Sequence, residues 1–111
     1  MIRTFYKGLE DIDARVYELD AYYDSRKSFY SKAKIIETFI EGRSIIKELQ
    51  SYDTIVARIE TSIDTGTTTV IIDDTYSATT LRHIKEFLRQ EIGYIGTKRD
   101  LERDFIIECS N

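Results

Sequence analysis

Hydrophobic and polar residues alternate with different periods along the chain. In the N-terminal part, apolar residues recur at spacings of four and three, as on one side of an amphipathic helix, and charged residues fill the gaps. These apolar residues are Phe5, Leu9, Ile12, Val16, Leu19 and Tyr23. The pattern predicts an N-terminal helix packed on a sheet. A strand within Arg15–Leu19 remains an alternative, because Val16 and Tyr17 also suit a sheet.

The middle of the chain favours strands, which are short, rich in β-branched residues and separated by turn residues. Gly42 can accept a positive φ in the turn between the first two strands. The first segment is ambiguous, because its apolar residues also fit helical spacing; strand is the interpretation adopted. The predicted strands are Ala33–Ile40, Ser44–Gln50, Thr54–Thr61 and Thr67–Ile72.

The stretch YSATTLRHIKEFLRQ, residues 76–90, has the period of an amphipathic helix. Ser77 can cap its first turn, with Thr79 or Thr80 as alternatives, and Gly93 is placed to end it. The residues expected on or beside its apolar side are Leu81, Ile84, Phe87, Leu88 and Ile92.

A short C-terminal helix is predicted after Thr97, with Leu101 and Phe105 facing inward. The fold class is therefore α+β: an antiparallel sheet of about four strands, an N-terminal helix, a helix near residues 77–92 and a short C-terminal helix. The helices are expected mainly on one face of the sheet.

Composition favours a single domain spanning residues 1–111. Hydrophobic residues make up 41% of the chain and charged residues 32%, proline is absent, and no polar linker divides the sequence. No apolar run approaches the roughly 20 residues of a membrane span, and the N-terminus turns acidic before a signal peptide could form. One cysteine, Cys109, cannot form an internal disulfide, so a cytoplasmic location is expected.

Few residues point to catalysis or to a cofactor. His83 is the only histidine, and its place at the border of the helix's apolar side favours a hydrogen-bonded structural role. No His or Cys cluster suggests a metal site, and neither a Walker lysine motif nor a dinucleotide glycine pattern is present. The paired Asp73 and Asp74 border a turn, where Asp is common. We expect no enzymatic activity, no cofactor and no metal.

Two surfaces of the predicted helix are candidate anion contacts. Arg82, Lys85 and Arg89 gather within one arc away from the apolar side, with Glu86 as a charged neighbour. A solvated outer face explains this arc as well as a phosphate contact does. At the helix start, Ser77 and Thr79 could add donors to the free N–H groups, although capping alone also explains them.

The segment AYYDSRKSFYSKAK, residues 21–34, interleaves aromatic and basic side chains. Tyrosine and arginine are enriched at protein–protein hot spots, and the same mixture can stack bases while holding phosphates. A third explanation is that the aromatic rings anchor a loop to the core. The net charge of −4 places a protein partner ahead of nucleic acid. The candidate partner-binding residues are Tyr22, Tyr23, Arg26, Lys27 and Tyr30.

Three phrases in this order, SRKSFYSKAKII, LQSYDTIVARI and YSATTLRHIKEFLRQ, resemble a small, largely uncharacterised protein family of phages, prophages and plasmids of Gram-positive bacteria. The resemblance covers residues 25–90. It implies a mobile-element accessory protein, with no established catalytic residues to carry over. Proteins of this size and origin often block a host factor. The resemblance therefore implies an inhibitor of a host defence protein, and an anti-CRISPR protein acting on a CRISPR effector nuclease is one such hypothesis.

Two other functions remain open from the sequence. The first is a nucleic-acid-binding accessory protein that uses the basic arc of Arg82, Lys85 and Arg89. The second is a structural or oligomerisation module, for which a homodimer is expected.

Overall fold

The computed structural model describes residues 12–72 and 77–105, which form an antiparallel sheet followed by two helices. Each strand pairs with its neighbours in the sequence, so the described sheet is a meander with the order β1-β2-β3-β4-β5. The α+β prediction is confirmed. The elements are β1 Ile12–Glu18, β2 Ala33–Ile40, β3 Ser44–Ser51, β4 Thr54–Ser62, β5 Thr68–Ile72, α1 Ala78–Ile92 and α2 Lys98–Asp104.

The predicted N-terminal helix is wrong from Ile12 onward, and the sheet has five strands rather than about four. Residues 12–18 form β1, which pairs with β2 along its whole length, so the strand alternative applies. The error has a simple cause. Ile12 and Val16 are four residues apart, a spacing that fits one side of a helix and also one face of a strand. Phe5 and Leu9 lie outside the described residues, as do Asp73, Asp74 and Cys109.

The remaining strands and helices begin and end close to their predicted positions. Gly42 and Gly66 adopt positive φ in the turns of the two hairpins β2–β3 and β4–β5. Ser77 caps α1 by accepting the N–H of Thr80 at 3.2 Å, and Gly93 ends the helix with φ of 69°. Thr97 caps α2 in a reciprocal capping box with Asp100. Neither described helix is long and apolar enough to cross a membrane.

One face of the sheet packs against α1. The register aligns one residue from each strand in a row across this face, and both helices add apolar side chains over it. Side chains alternate between the two faces along each strand, so residues two apart share a face. The pairing register then brings residues on the same face of neighbouring strands into one row. The row is Tyr17, Ile35, Leu49, Ala57 and Ile72, and the helical side chains packed with it include Ile84, Phe87, Leu88 and Leu101.

Polar contacts tie the far end of α1 to the same face. Lys47 on β3 lies 2.7 Å from the carboxylate of Glu91 on α1 and 3.8 Å from that of Glu37 on β2. Arg15 on β1 extends the group with a 2.6 Å ion pair to Glu37. Burial would lower the pKa of Lys47, but the hydrogen bond and charge of Glu91 raise it above its ordinary value. The helix is thus fixed to β3 by an ion pair as well as by apolar packing, and Glu37 and Arg15 extend the charged group to β2 and β1.

We expect Leu49→Ala to lower the free energy of unfolding by about 2–5 kcal/mol, the range for truncating a fully buried leucine. Leu49 has no exposed surface and lies at the centre of the apolar row. Urea denaturation measures the change, and Ile71→Ala on β5 is the matched control because Ile71 is 40% exposed. An equal loss in both variants would contradict the core described above.

Candidate binding site

Residues 19–32, which we call the connecting segment, join β1 to β2 and lie beside α1. Leu19 and Phe29 are buried in the core cluster and fix the two ends of the segment. The backbone N–H of Leu19 also donates to the carbonyl of Ala33, and that of Lys32 to Phe29. Phe29 therefore anchors the loop to the core, which is one of the three explanations given for the aromatic residues of this segment.

Glu86 on α1 holds the middle of the connecting segment. Its carboxylate accepts the backbone N–H of Tyr22 at 3.0 Å and that of Tyr23 at 3.0 and 3.1 Å. The Gln90 amide also donates to this carboxylate and to the carbonyl of Asp20. Glu86 is only 3% exposed, and a buried carboxylate requires such donors. The segment therefore has a defined conformation on the helix.

Two basic residues of α1 add further contacts to the segment. Arg82 forms a 2.9 Å ion pair with Asp24, and the guanidinium of Arg89 lies 4.3 Å from the centre of the Tyr23 ring. Burial would raise the pKa of Asp24, but hydrogen bonds from the Arg26 N–H and from Arg82 lower it overall. Arg82 and Arg89 thus have partners within the chain. Lys85 is exposed and has no ion pair or hydrogen bond among the described residues.

The predicted partner-binding residues are exposed along the connecting segment. Tyr22 is 70% exposed and Tyr30 is 68% exposed, although the backbone around Tyr22 is fixed by Glu86. Tyr23, Arg26 and Lys27 are exposed as well. The segment therefore presents aromatic and basic side chains on a fixed backbone.

His83 forms a buried polar cluster beneath the segment. Its Nδ1 lies 2.8 Å from the hydroxyl of Ser51, which lies 2.9 Å from that of Thr80. The edge of the Phe29 ring packs on the imidazole, with centroids 4.6 Å apart. Burial lowers the pKa of His83, an effect that the charge of Asp24 opposes in part. The hydrogen-bonded structural role predicted for His83 agrees with this geometry.

A cleft of about 210 Å³ opens between the connecting segment, the β3–β4 turn and the start of α1. We call it the basic cleft. It brings together members of both predicted sets, Arg26 and Tyr30 from the segment and Thr79 and Arg82 from the helix. None of the described residues that line it is Asp or Glu. They are Arg26, Ser28, Phe29, Tyr30, Lys32, Tyr52, Thr79, Arg82 and His83.

A second cavity, also about 210 Å³, lies on the other side of Arg82, and we call it the helix cavity. It contains the whole predicted arc of Arg82, Lys85 and Arg89. Unlike the basic cleft, it includes two carboxylates. Its other described lining residues are Tyr23, Asp24, Glu86, Tyr94, Ile95 and Gly96.

Three residues beside the basic cleft have left-handed backbone conformations without being glycine. Tyr30 has φ of 52° and Ser31 of 65° in the connecting segment, and Tyr52 has φ of 57° in the β3–β4 turn. Such conformations are sterically unfavourable for residues with a Cβ. Tyr52 is also 49% exposed, so burial of its ring does not account for the conformation.

The sequence interpretation missed two features of the site. Glu86 was expected as a charged neighbour on a solvated helix face, and this is wrong, because the connecting segment covers it. No local pattern signals a contact between residues more than sixty positions apart. Tyr52 was considered only as part of a turn, although a bulky tyrosine in a two-residue hairpin turn is itself an unusual signal. The predicted capping by Ser77 is confirmed, and Ser77 is not among the lining residues of the basic cleft.

Comparison with known proteins gives one match. The model of a family described as "Family of unknown function (DUF8033)" matches residues 17–106, which include the whole candidate site. No curated protein and no solved structure matches the chain. Within residues 12–72 and 77–105, no three His, Cys, Asp or Glu side chains form a group able to hold a metal ion.

We expect Glu86→Ala to lower the free energy of unfolding by about 2–4 kcal/mol, because it leaves two backbone N–H groups without their acceptor. Amide hydrogen exchange at Tyr22 and Tyr23 should accelerate more than exchange in β3. Lys85→Ala, on the exposed side of the same helix, is the control, with an expected change within about 0.5 kcal/mol. Unchanged exchange at both tyrosines would contradict the role given to Glu86.

The free energy of unfolding should fall as the pH drops below about 6.5. Burial lowers the pKa of His83 in the folded protein. As the pH falls, the unfolded chain therefore binds a proton at this imidazole before the folded protein does. The stabilising contribution of neutral His83 is lost as the pH falls through the folded pKa. Urea denaturation between about pH 7.5 and 5.5 tests this. His83→Asn keeps a hydrogen-bonding side chain and should flatten the dependence. An equal pH slope in both proteins would refute the assignment.

Proposed function

Since the chain belongs to the family of unknown function DUF8033, we propose a function from its own geometry: a non-enzymatic binding protein whose connecting segment contacts a macromolecular partner. The observation that carries this proposal is the combination of exposed tyrosines with a fixed backbone. Glu86 binds the backbone of Tyr22 and Tyr23, whereas the rings of Tyr22 and Tyr30 are 70% and 68% exposed. A core-forming role does not explain rings that remain in water.

Prior ordering of the segment favours binding. A loop that is already held in one conformation loses less entropy when a partner binds. Tyr23 illustrates the arrangement, because Arg89 supports one side of its ring. Arg26 and Lys27 flank the tyrosines with positive charge, so a protein partner is expected to present an acidic patch. Tyrosine and arginine are also the residue types that most often dominate binding energy at interfaces.

The partner we propose is a host defence protein, and the first target to test is a CRISPR effector nuclease. This choice rests on the resemblance of residues 25–90 to accessory proteins of phages, prophages and plasmids. In this proposal the protein acts in the host cell cytoplasm. It inhibits by covering a functional surface of its target, since neither catalysis nor a cofactor is invoked.

The test is a nuclease-inhibition assay with purified CRISPR effectors from Gram-positive hosts, in which the protein is added before or after guide loading. Target binding and target cleavage are measured separately to identify the step that is blocked. We expect inhibition, and we expect Tyr22→Ala and Tyr30→Ala each to weaken it about 30-fold, as for a residue worth about 2 kcal/mol at an interface.

Ile63→Ala serves as the matched control. Ile63 is also an exposed large apolar residue, but it lies in the β4–β5 turn, and its N–H donates to Arg43 at the opposite end of the strands. Inhibition that is weakened equally by Ile63→Ala would remove the connecting segment from the interface. No inhibition across the panel, together with no effector recovered on the immobilised protein, would reject the defence-factor proposal.

Nucleic-acid binding through the basic arc is the second candidate function. One observation favours it: Arg82, Lys85 and Arg89 line a single cavity, and Lys85 has no ion pair among the described residues. Two observations weigh against it, because Arg82 and Arg89 already have partners and the net charge is −4. A tight homodimer detected by light scattering, with no other partner found, would instead favour an assembly module.

A further inference from the structure

The turns at the two ends of the sheet differ in their residues. At one end, glycine supplies the positive φ of both hairpin turns, at Gly42 and Gly66. At the other end, beside the basic cleft, Tyr30, Ser31 and Tyr52 adopt the same region of φ. Glycine or asparagine would satisfy the backbone more easily at these positions. Residues in unfavourable conformations cluster at binding and active sites, so the tyrosine side chains themselves require an explanation.

The charges around the cleft give part of that explanation. Arg26 and Lys32 reach it from the connecting segment and Arg82 reaches it from α1, and none of its described lining residues carries negative charge. Asp24 holds Arg82 from outside the cleft through their 2.9 Å ion pair. Three cations, two from the connecting segment and one from α1, thus converge on one small volume, where an anion would be attracted.

The exposed aromatic rings of the cleft indicate that an anionic ligand also carries a flat group able to stack on them. Tyr30 and Tyr52 line the cleft yet remain 68% and 49% exposed, so their rings have free surface. Lys32 Nζ lies over the Tyr52 ring, 6.0 Å from its centre, and the centre of the His83 ring is 5.9 Å from that of Tyr52, so a cation and a partly exposed ring are adjacent in the cleft. The hydroxyls of Ser28 and Thr79 add hydrogen-bonding groups. Cations next to exposed rings are the combination that binds single-stranded nucleic acids.

We propose that the basic cleft binds a nucleoside phosphate, with the phosphate on Arg26, Lys32 and Arg82 and the base stacked on Tyr52 or Tyr30. The cleft volume of about 210 Å³ is below the roughly 300–1,000 Å³ of pockets for drug-sized ligands, so it encloses one nucleotide unit at most. That unit is either a free nucleotide or one residue of a single strand. The site is distinct from the helix cavity and does not depend on inhibition of a defence protein.

The experiment measures fluorescence anisotropy of a labelled single strand of about six thymidines, a length within the range bound by small single-strand sites. Unlabelled AMP, inorganic phosphate, duplex DNA and an oligoglutamate peptide serve as competitors. We expect the strand to bind with a salt slope of about −0.7, as for neutralisation of one phosphate of a single strand. AMP should compete, and phosphate and oligoglutamate should compete much more weakly.

The variant Tyr52→Asn distinguishes a loss of ligand binding from a loss of stability. Asparagine tolerates positive φ better than tyrosine, so the urea midpoint should stay the same or rise, while affinity falls about 5- to 150-fold through loss of a stacking ring. Tyr30→Asn is a second variant of the same design. Arg26→Ala and Lys32→Ala should weaken binding and reduce the salt slope. Lys34→Ala, which removes an exposed cation of β2 outside the cleft, should change neither.

Three results would overturn the proposal. The first is no binding of strand or AMP at low salt by the folded protein. The second is binding that Tyr52→Asn and Arg26→Ala leave intact but that Lys85→Ala removes, which would assign it to the helix cavity and support the basic-arc candidate instead. The third is equal competition by AMP and by phosphate or oligoglutamate, which would make the cleft a general anion site. Direct binding of AMP, measured by isothermal titration calorimetry, without measurable strand binding would support the free nucleotide as the source.

Discussion

The buried carboxylate of Glu86 is the interaction on which the binding surface depends. It binds the backbone N–H groups of Tyr22 and Tyr23 and thereby fixes a segment that has no strand or helix of its own. The contacts of Arg82 and Arg89 require the segment to be in this position. A carboxylate suits the task because it can accept several hydrogen bonds at once and leaves the side chains of its donors free. The exposed tyrosines are therefore a consequence of a backbone contact.

The sequence predicted the parts of this fold that depend on local chemistry. β5 and the cap at Ser77 follow from residue type, because the preference of β-branched residues for strands and helix capping both act within a few positions. β1 was mistaken for a helix, since its apolar residues satisfy two periods at once. For the site, sequence reasoning found the basic and aromatic residues but assigned them to two separate surfaces. Joining them requires the contact of Glu86 with Tyr22, across 64 positions, which no local pattern encodes.

Charge is distributed unevenly over this acidic chain. The net charge of −4 opposes binding to long polyanions, yet the described lining of the basic cleft contains cations and no carboxylates. Local and overall charge therefore have different effects: the first attracts a small anionic group, and the second disfavours extensive contact with a duplex. Asp24 contributes to this uneven distribution of charge. It pairs with Arg82 and orients that cation, but it is not among the residues that line the cleft.

The meander order of the sheet also has a consequence for how the molecule forms. Each strand pairs with its neighbour in sequence, so the hairpins close short loops at little entropic cost. The contact of Glu86 with the connecting segment instead closes a loop that contains most of the sheet. Loop-closure entropy therefore favours assembly of the hairpins first and docking of the segment on α1 afterwards. Contacts that form late in folding slow unfolding more than they speed folding, so on this pathway the hydrogen bonds of Glu86 act mainly on the unfolding rate.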